Sequence, residues 1–326
     1  MPAVQRILSG VQPSGKLHLG NYFGAIKQHI ALQDRPNAER FYFIADFHAL
    51  TTVQEAALLR QYVQGVALDY LALGLDPEKS VFFRQSDVPE VTELAWLLSV
   101  VTGMGLLERA HSYKDKIAKG LKPSVGLFYY PVLMAADILI YKSTLVPVGQ
   151  DQVQHIEMTQ DMAGYFNQTF GKNVFVRPEA QLSAAPKVPG IDGEKMSKSY
   201  GNTIDLQAEP KELKKVIMSI KTDSTPVEAP KNPDADNVFA LFALFAGDEE
   251  KAALAARYRA GGFGYGEAKK MLLEKVTAYF EPYRKKRAEL LARPDYVNDV
   301  LRQGAQKARA VARQTLDEAK HACGLL

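Results

Sequence analysis

The stretch Gly10-Val11-Gln12-Pro13-Ser14-Gly15-Lys16-Leu17-His18-Leu19-Gly20-Asn21-Tyr22-Phe23-Gly24 follows a short apolar run, Ile7-Leu8, that reads as a strand, and leads into an apolar and aromatic pattern that reads as a helix. Gly10, Pro13, Gly15 and Gly20 let the backbone turn tightly between the two and approach a ligand closely. Such a turn presents unpaired N–H groups at the positive end of a helix dipole, where phosphate binds readily. A strand-to-helix turn without a ligand uses the same glycines. His18 and Asn21, three apart at the helix start, with Gln12 and Ser14 upstream, concentrate polar groups where a phosphate would lie.

Outward from this turn, strand-like runs recur at 6–9, Phe41-Tyr42-Phe43-Ile44-Ala45, Val81-Phe82-Phe83 and Leu145-Val146-Pro147-Val148. Helical patterns lie at about 21–33, 54–73, 90–102, 126–141 and 151–170. The alternation predicts an α/β fold, a Rossmann-like parallel sheet with helices on both faces. Ligands in such folds sit at the carboxyl ends of the strands. The loops there hold Gln12 to Asn21, Asp46 to His48 and Gly149 to Gln152. No G-x-x-x-x-G-K-[ST] and no G-x-G-x-x-G after a strand occurs, which argues against a P-loop ATPase, a kinase and a dehydrogenase. Gly103-Met104-Gly105 reads as a turn.

Residues 103–125 carry Lys114, Lys116, Lys119 and Lys122 and read as an insertion, either an exposed solubilising loop or one whose lysines reach a phosphate. Residues 177–194 read as a long Pro- and Gly-rich loop. It ends in Glu194-Lys195-Met196-Ser197-Lys198-Ser199-Tyr200-Gly201-Asn202, where two lysines three apart with interleaved hydroxyls fit a clamp on a polyphosphate. From about 205 onward the chain reads as helix, broken near 223–236, 261–266 and 293–294.

With 326 residues, 47% hydrophobic and 24% charged, the chain is expected to form two domains. These are a sheet domain over 1–200, with the insertion near 103–125 and the lysine–serine loop 195–199 at its end, and a helical domain over 201–326 whose last helix can pack back on the first. The single cysteine, Cys323, excludes an intramolecular disulfide and a multi-cysteine metal site. Asp151 and His155, four apart, have no evident third ligand for zinc. No apolar run reaches the ~18 residues of a membrane span and no signal-peptide pattern opens the chain, so a cytoplasmic protein without a membrane partner is expected. The net charge is only +3, but Lys251 to Leu326 carry 16 Lys or Arg against 8 Asp or Glu. The run Arg284-Lys285-Lys286-Arg287, followed by Arg302, Lys307, Arg309 and Arg313, suits either a nucleic-acid backbone or a solvated helix face.

Two of these segments, His18-Leu19-Gly20-Asn21 and Lys195-Met196-Ser197-Lys198-Ser199, resemble the two signatures of the class I aminoacyl-tRNA synthetases. The second matches in full; in the first, Asn21 stands where the family pattern ends in His. Gln12-Pro13-Ser14-Gly15, the run Tyr130-Pro131-Val132-Leu133-Met134-Ala135-Ala136-Asp137-Ile138-Leu139, and Val146-Pro147-Val148-Gly149-Gln150-Asp151-Gln152 with His155 are similar to the bacterial tryptophanyl-tRNA synthetases, along nearly the whole chain. The tyrosyl branch is similar in fold but not in these local runs.

The resemblance implies a homodimeric tryptophan–tRNA ligase. It would activate L-tryptophan with ATP to the adenylate, releasing pyrophosphate, and pass tryptophan to the 3′-terminal adenosine of tRNA(Trp). Asp137, on one helix face with Met134, is a carboxylate among apolar neighbours and needs a partner. The resemblance implies that it accepts the indole N–H, with Met134, Val146 and Val148 around the ring, Tyr130 and Gln152 on the ammonium, and His48 closing the pocket. For ATP it implies Gln12, Pro13, Ser14, Gly20 and Asn21; Gly149, Gln150 and Asp151 at the nucleoside; and Val188 behind the adenine. Lys195, Met196, Ser197, Lys198 and Ser199, with Lys116, would meet the pyrophosphate. His18, Asn21, Lys195 and Lys198 would be the catalytic set. Mg²⁺ would accompany ATP through its phosphates, with no dedicated protein metal site. Tyr279, Phe280 and Tyr283, beside the 284–287 run, are expected to offer stacking faces to anticodon bases. Alternatives are a tyrosyl-type synthetase, a synthetase-like binding or regulatory protein, and a nucleotidylyltransferase with a similar His-x-Gly-His turn. The helical second domain and the complete lysine–serine loop count against the last.

Overall fold

The run Phe41-Tyr42-Phe43-Ile44 is buried from its first residue to its last, as a strand covered on both faces must be. It forms the end of β2 (Ala38–Ile44) in the computed structural model, which describes residues 4–110, 124–182 and 188–326. With β1 (Gln5–Val11), β3 (Val81–Arg84), β4 (Leu145–Val148) and β5 (Glu179–Leu182) it builds one parallel sheet in the order β3-β2-β1-β4-β5. The order reverses between β1 and β4, and a crevice opens at the strand ends where it does.

β5 lies inside the segment expected to be loop. None of its four side chains is buried, so Glu179-Ala180-Gln181-Leu182 carries no apolar run to betray it. It pairs with β4 from Leu145↔Glu179 to Val148↔Leu182. Pro147 has no N–H to give, and β4 meets β1 only at Ile7↔Leu145, short of the proline. Gly103 opens a short helix, Met104–Glu108, rather than a turn.

Among the described residues the helices are α1 (19–32, interrupted by a π turn), α2 (Asp46–Ala49), α3 (Ala56–Ala72), α4 (Glu90–Ser99), α5 (Met104–Glu108), α6 (Val125–Leu139) and α7 (Val153–Phe170). Past the sheet come α8 (Pro210–Met218), α9 (Asn237–Ala243), α10 (Asp248–Ala260), α11 (Tyr265–Leu291) and α12 (Pro294–Cys323). None of them is long and apolar enough to cross a membrane.

Two compact units emerge, and each is discontinuous in sequence: Met1–Ser14 with His29–Ser183 and Ala292–Leu326, and Gly15–Gln28 with Ala184–Leu291. A single cut at 200 does not describe this interleaving. In the second unit Leu19 donates its N–H to the Ile204 carbonyl at 3.0 Å and Leu206 its N–H to the Leu17 carbonyl at 3.0 Å. These two bonds tie the turn before α1 to the segment after the lysine–serine loop. Phe280 and Tyr283 are buried there, and Phe280 packs edge-on against Tyr22 and Phe245. These two rings are core, not stacking faces for bases. Periodicity along α11 turns them inward.

The first unit reclaims the C-terminus. α12 lays a stripe of small and aliphatic side chains, among them Leu301, Ala305, Ala308 and Ala312, against the sheet unit. Arg309 reaches the half-exposed rim of this contact and donates to both oxygens of Glu90 on α4, at 2.9–3.1 Å, while Arg313 adds a further bond at 2.8 Å. Burial pushes the Glu90 carboxyl up, but these guanidinium bonds outweigh it and hold the group below its usual range. Two of the arginines whose run suits either a nucleic-acid backbone or a solvated helix face therefore anchor a helix. Gly304 lets α12 come this close: a Cβ there would stand 1.8 Å from the Phe82 carbonyl oxygen of β3. Alanine would gain about 1 kcal/mol in helix propensity, which the clash must exceed. Gly304→Ala is expected to lower the stability measured by urea unfolding by a net ~2 kcal/mol or more; an unchanged midpoint would show that α12 can shift without loss.

Candidate active site

A cavity of about 360 Å³ occupies the crevice of the sheet unit, floored by Leu8, Ser9 and Gly10 of β1 and by Val146, Pro147 and Val148 of β4. Its walls include Gln12, His48, Thr51, Tyr130, Met134, Asp137 and Gln152. Thus Tyr130, Met134, Asp137, Val146, Val148, Gln152 and His48, singled out in the sequence from well-separated runs, line one space. Gly10 makes room for the Phe43 ring, another part of the lining, which lies over it: a Cβ would meet the ring at 2.6 Å.

Asp137 is 2% exposed. Its partners are Gln85, whose Nε2 donates to both carboxylate oxygens at 2.8 Å, and His48, whose Nε2 lies 2.8 Å from Oδ2. Burial pushes the carboxyl above its ordinary pKa, and the bonds from His48 and Gln85 pull the other way. Gln85 is a site residue that the sequence did not reveal. It is fully buried in the turn after β3, and its Oε1 accepts the Phe47 N–H at 3.0 Å. The neighbouring Ser86 donates its N–H to Asp46 Oδ1 at 2.9 Å and its hydroxyl to Oδ2, so the loops after β2 and β3 are joined. The only signal for Gln85 is position: polar Gln85-Ser86 closely follow an apolar strand.

The Tyr130 hydroxyl lies 2.7 Å from Nε2 of buried His155, and burial pushes the phenol up to about 12. Gln12, exposed, donates Nε2 to the His48 carbonyl at 3.2 Å; Pro13 is buried and Ser14 exposed. Gln150 and Asp151, both following Gly149, lie in a single turn before α7, and a Cβ at Gly149 would stand 2.8 Å from the Asp151 carboxylate.

The second unit holds the other group of expected residues. His18 is 6% exposed, and its Nδ1 is buried without a hydrogen-bond partner among the described residues. Burial, then the positive charge of Lys198, lower its pKa to about 4, so the ring is neutral at pH 7. Asn21 accepts the His18 N–H at 3.1 Å through Oδ1, and Gly20 directs its N–H at the Met196 sulfur at 3.3 Å. Gly20 must lack a side chain here, since a Cβ would stand 2.9 Å from the His18 ring. Lys198 lies over Gly15, whose positive φ of 131° suits glycine. Met196 and Val188 are buried, whereas Lys195 and Ser199 face solvent or its edge and Ser197 is half-buried. Lys116 lies outside the described residues. Among the described residues no group of three or more His, Cys, Asp or Glu side chains could hold a metal ion.

The sequence model for tRNA synthetases class I (W and Y) matches residues 3–281. A Tryptophan--tRNA ligase of Rhodopirellula baltica is 58% identical over 98% of this chain and 99% of its own length. One of Fusobacterium nucleatum is 55% identical over 99% of each. Among solved structures, the tryptophanyl-tRNA synthetase of Campylobacter jejuni complexed with ADP and tryptophan matches with a TM-score of 0.92 at 50% identity, over 98% of this chain and 100% of that one.

Because burial raises the Asp137 pKa, its ionised form weakens the fold. The penalty is absent below the unfolded value of 3.8 and grows as pH rises through the higher folded value. Asp137→Asn, which carries no charge to bury but sets an NH₂ beside the Gln85 donor, is expected to compare more favourably with the parent chain at pH 7.5 than at pH 4. Urea unfolding at the two pH values checks this; equal destabilisation at both would assign the larger effect to the lost hydrogen bonds.

Proposed function

The chain belongs to the class I tRNA synthetases of the tryptophan and tyrosine type, and from this premise we propose that it ligates tryptophan to tRNA(Trp) at the expense of ATP. The observation that carries the choice of amino acid is the buried Asp137 carboxylate in the wall of an otherwise largely apolar cavity. Tryptophan has one polar atom on its side chain, the indole N–H, and a carboxylate anchored by Gln85 and His48 is an acceptor matched to it. Met134, Val146 and Val148 would flank the ring. Tyr130 and Gln152 would take the ammonium. An analogue without the N–H would leave Asp137 short of a donor, and a site built around such a buried polar group discriminates by as much as ~10⁴–10⁵.

In the first step the tryptophan carboxylate attacks the α-phosphorus of ATP, the bond to the bridging oxygen breaks, and pyrophosphate leaves. In the second, a ribose hydroxyl of the terminal adenosine attacks the tryptophanyl carbonyl and AMP leaves. The protein forms no covalent bond; alignment and charge stabilisation carry the rate. His18, neutral, would donate an N–H to the α-phosphate, and Asn21 would order the turn around it. Lys195 and Lys198, with Ser197, Ser199 and Lys116, would stabilise the departing pyrophosphate. Gln12, Pro13, Ser14 and Gly20 are assigned to the phosphates and adenosine, Gly149, Gln150 and Asp151 to the ribose side, and Val188 and Met196 to apolar contacts. Mg²⁺ bound through the phosphates would neutralise part of their charge.

For tRNA, Lys285 and Lys286 make exposed ion pairs with Glu281 and Glu289, which yield easily to phosphate. A homodimer is supported by Trp96, Val100 and Met104, which stand 58–67% exposed between the middle of α4 and the start of α5. The reducing cytoplasm suits a chain with one cysteine. ATP–pyrophosphate exchange with each amino acid tests the assignment: exchange is expected with tryptophan, and exchange with tyrosine in its place would overturn it. Asp137→Ala should raise the tryptophan KM by ~100-fold or more while the ATP KM stays within about twofold.

A further inference from the structure

The loop bearing the lysines closes on itself. Pro189 and Lys195 form an antiparallel bridge, Met196 donates its N–H to the Val188 carbonyl at 3.0 Å, and Gly190 donates to the Glu194 carbonyl at 2.7 Å. Inside this turn sits Asn202, 2% exposed. Its Oδ1 accepts the Ser197 N–H at 2.8 Å, and its Nδ2 donates to Asp192 Oδ1 at 2.8 Å and to the Lys195 carbonyl at 3.2 Å. Only one orientation of the amide satisfies all three, because a flipped group would aim its NH₂ at an N–H and its oxygen at a carboxylate. The Asn202 carbonyl also accepts the Ile191 N–H at 3.0 Å. Gly190 makes room for this arrangement: a Cβ there would stand 2.3 Å from Asn202 Nδ2.

From this geometry we infer that Asn202 is a positioning residue for the pyrophosphate-binding lysines, a role that rests on the assignment of Lys195 and Lys198 to ATP. Its side chain grips the backbone at residues 195 and 197, on either side of Met196, whose own side chain is buried. Three consecutive residues are thereby fixed, and the directions in which the Lys195 and Lys198 side chains leave the backbone follow from them. A flexible lysine stabilises a leaving group well only when its backbone is already in place, since ordering it during the reaction would cancel part of the electrostatic gain. Asparagine is suited to this post because it accepts and donates at once. Aspartate has the same shape but no N–H, and would bring two carboxylates together at Asp192.

The test compares Asn202→Asp, the double variant Asp192→Asn with Asn202→Asp, and Lys195→Ala in the full-length protein. The readouts are ATP–pyrophosphate exchange, melting temperature, and the rate of trypsin cleavage at Lys195 and Lys198 mapped by mass spectrometry. Asn202→Asp is expected to lower kcat/KM for ATP by about tenfold or more and to speed cleavage at the two lysines by a similar factor, with the tryptophan KM within about twofold. The double variant restores a donor–acceptor pair at position 192 in reversed order but not the bond to the Lys195 carbonyl, and is expected to recover part of both losses. Unchanged ATP kinetics and cleavage overturn the inference, as does an equal loss for both substrates that the double variant does not recover. If the single variant does not fold, the double variant alone decides: a loss confined to ATP kinetics with faster cleavage at the two lysines supports the inference, and unchanged cleavage or an equal loss for both substrates overturns it. A Lys195→Ala protein with normal exchange would remove the lysine assignment and the inference together; a crippled Lys195→Ala beside a normal Asn202→Asp removes the inference alone.

Discussion

Burying the Asp137 carboxylate constrains everything around the crevice of the sheet. An ionised group so little exposed is tolerated only when donors surround it, and here the donors arrive from two different strand ends. His48 follows β2 and Gln85 follows β3, while Asp137 itself sits on α6. Before Gln85 can reach across, its own oxygen is held by the Phe47 N–H, and Ser86 is tied to Asp46. The post-strand loops are thus fastened to each other as well as to the acid. A site in this state is preorganised: its acceptor needs no rearrangement to meet a donor from solution.

How much of this was legible depends on what kind of signal each residue leaves. Four strands announce themselves because they are largely apolar, and β5 does not because an edge strand with no buried side chain has no reason to be apolar. The cavity residues were legible as a set through their resemblance to family runs, and their convergence on one space is geometry the sequence could only suggest. Gln85 and Asn202 were not legible, because a buried amide is chosen for partners that lie elsewhere in the chain. Gln85 answers Asp137, 52 positions on, and Asn202 answers Asp192 and the backbone of its own loop. Phe280 and Tyr283 misled for the opposite reason. An aromatic beside a basic run looks the same whether it faces a base or the core, and only packing tells which.

The two groups of site residues differ in their electrostatics. In the cavity of the sheet unit the perturbed groups are the Asp137 carboxylate and the Tyr130 phenol in a mostly apolar wall, suited to reading an amino acid. In the other unit, burial and a neighbouring ammonium keep His18 uncharged, and lysines sit on a loop that bonds back to itself through its backbone. A neutral ring among cations can donate a hydrogen bond without adding to the repulsion they already feel.

The return of α12 to the sheet unit has a consequence for how the chain is made. β3 is an edge strand, and the helix that presses Gly304 onto Phe82 is encoded at the far end of the chain. During synthesis the sheet unit emerges first but stays incomplete while Ala184–Leu291 follows, because Glu90 waits for Arg309 and β3 for its cover. Throughout that interval an aromatic edge strand stands open to wrong pairing. A premature stop shortly beyond Leu291 therefore strikes an early part of the nascent chain and not the newest, and would act as a defect of folding.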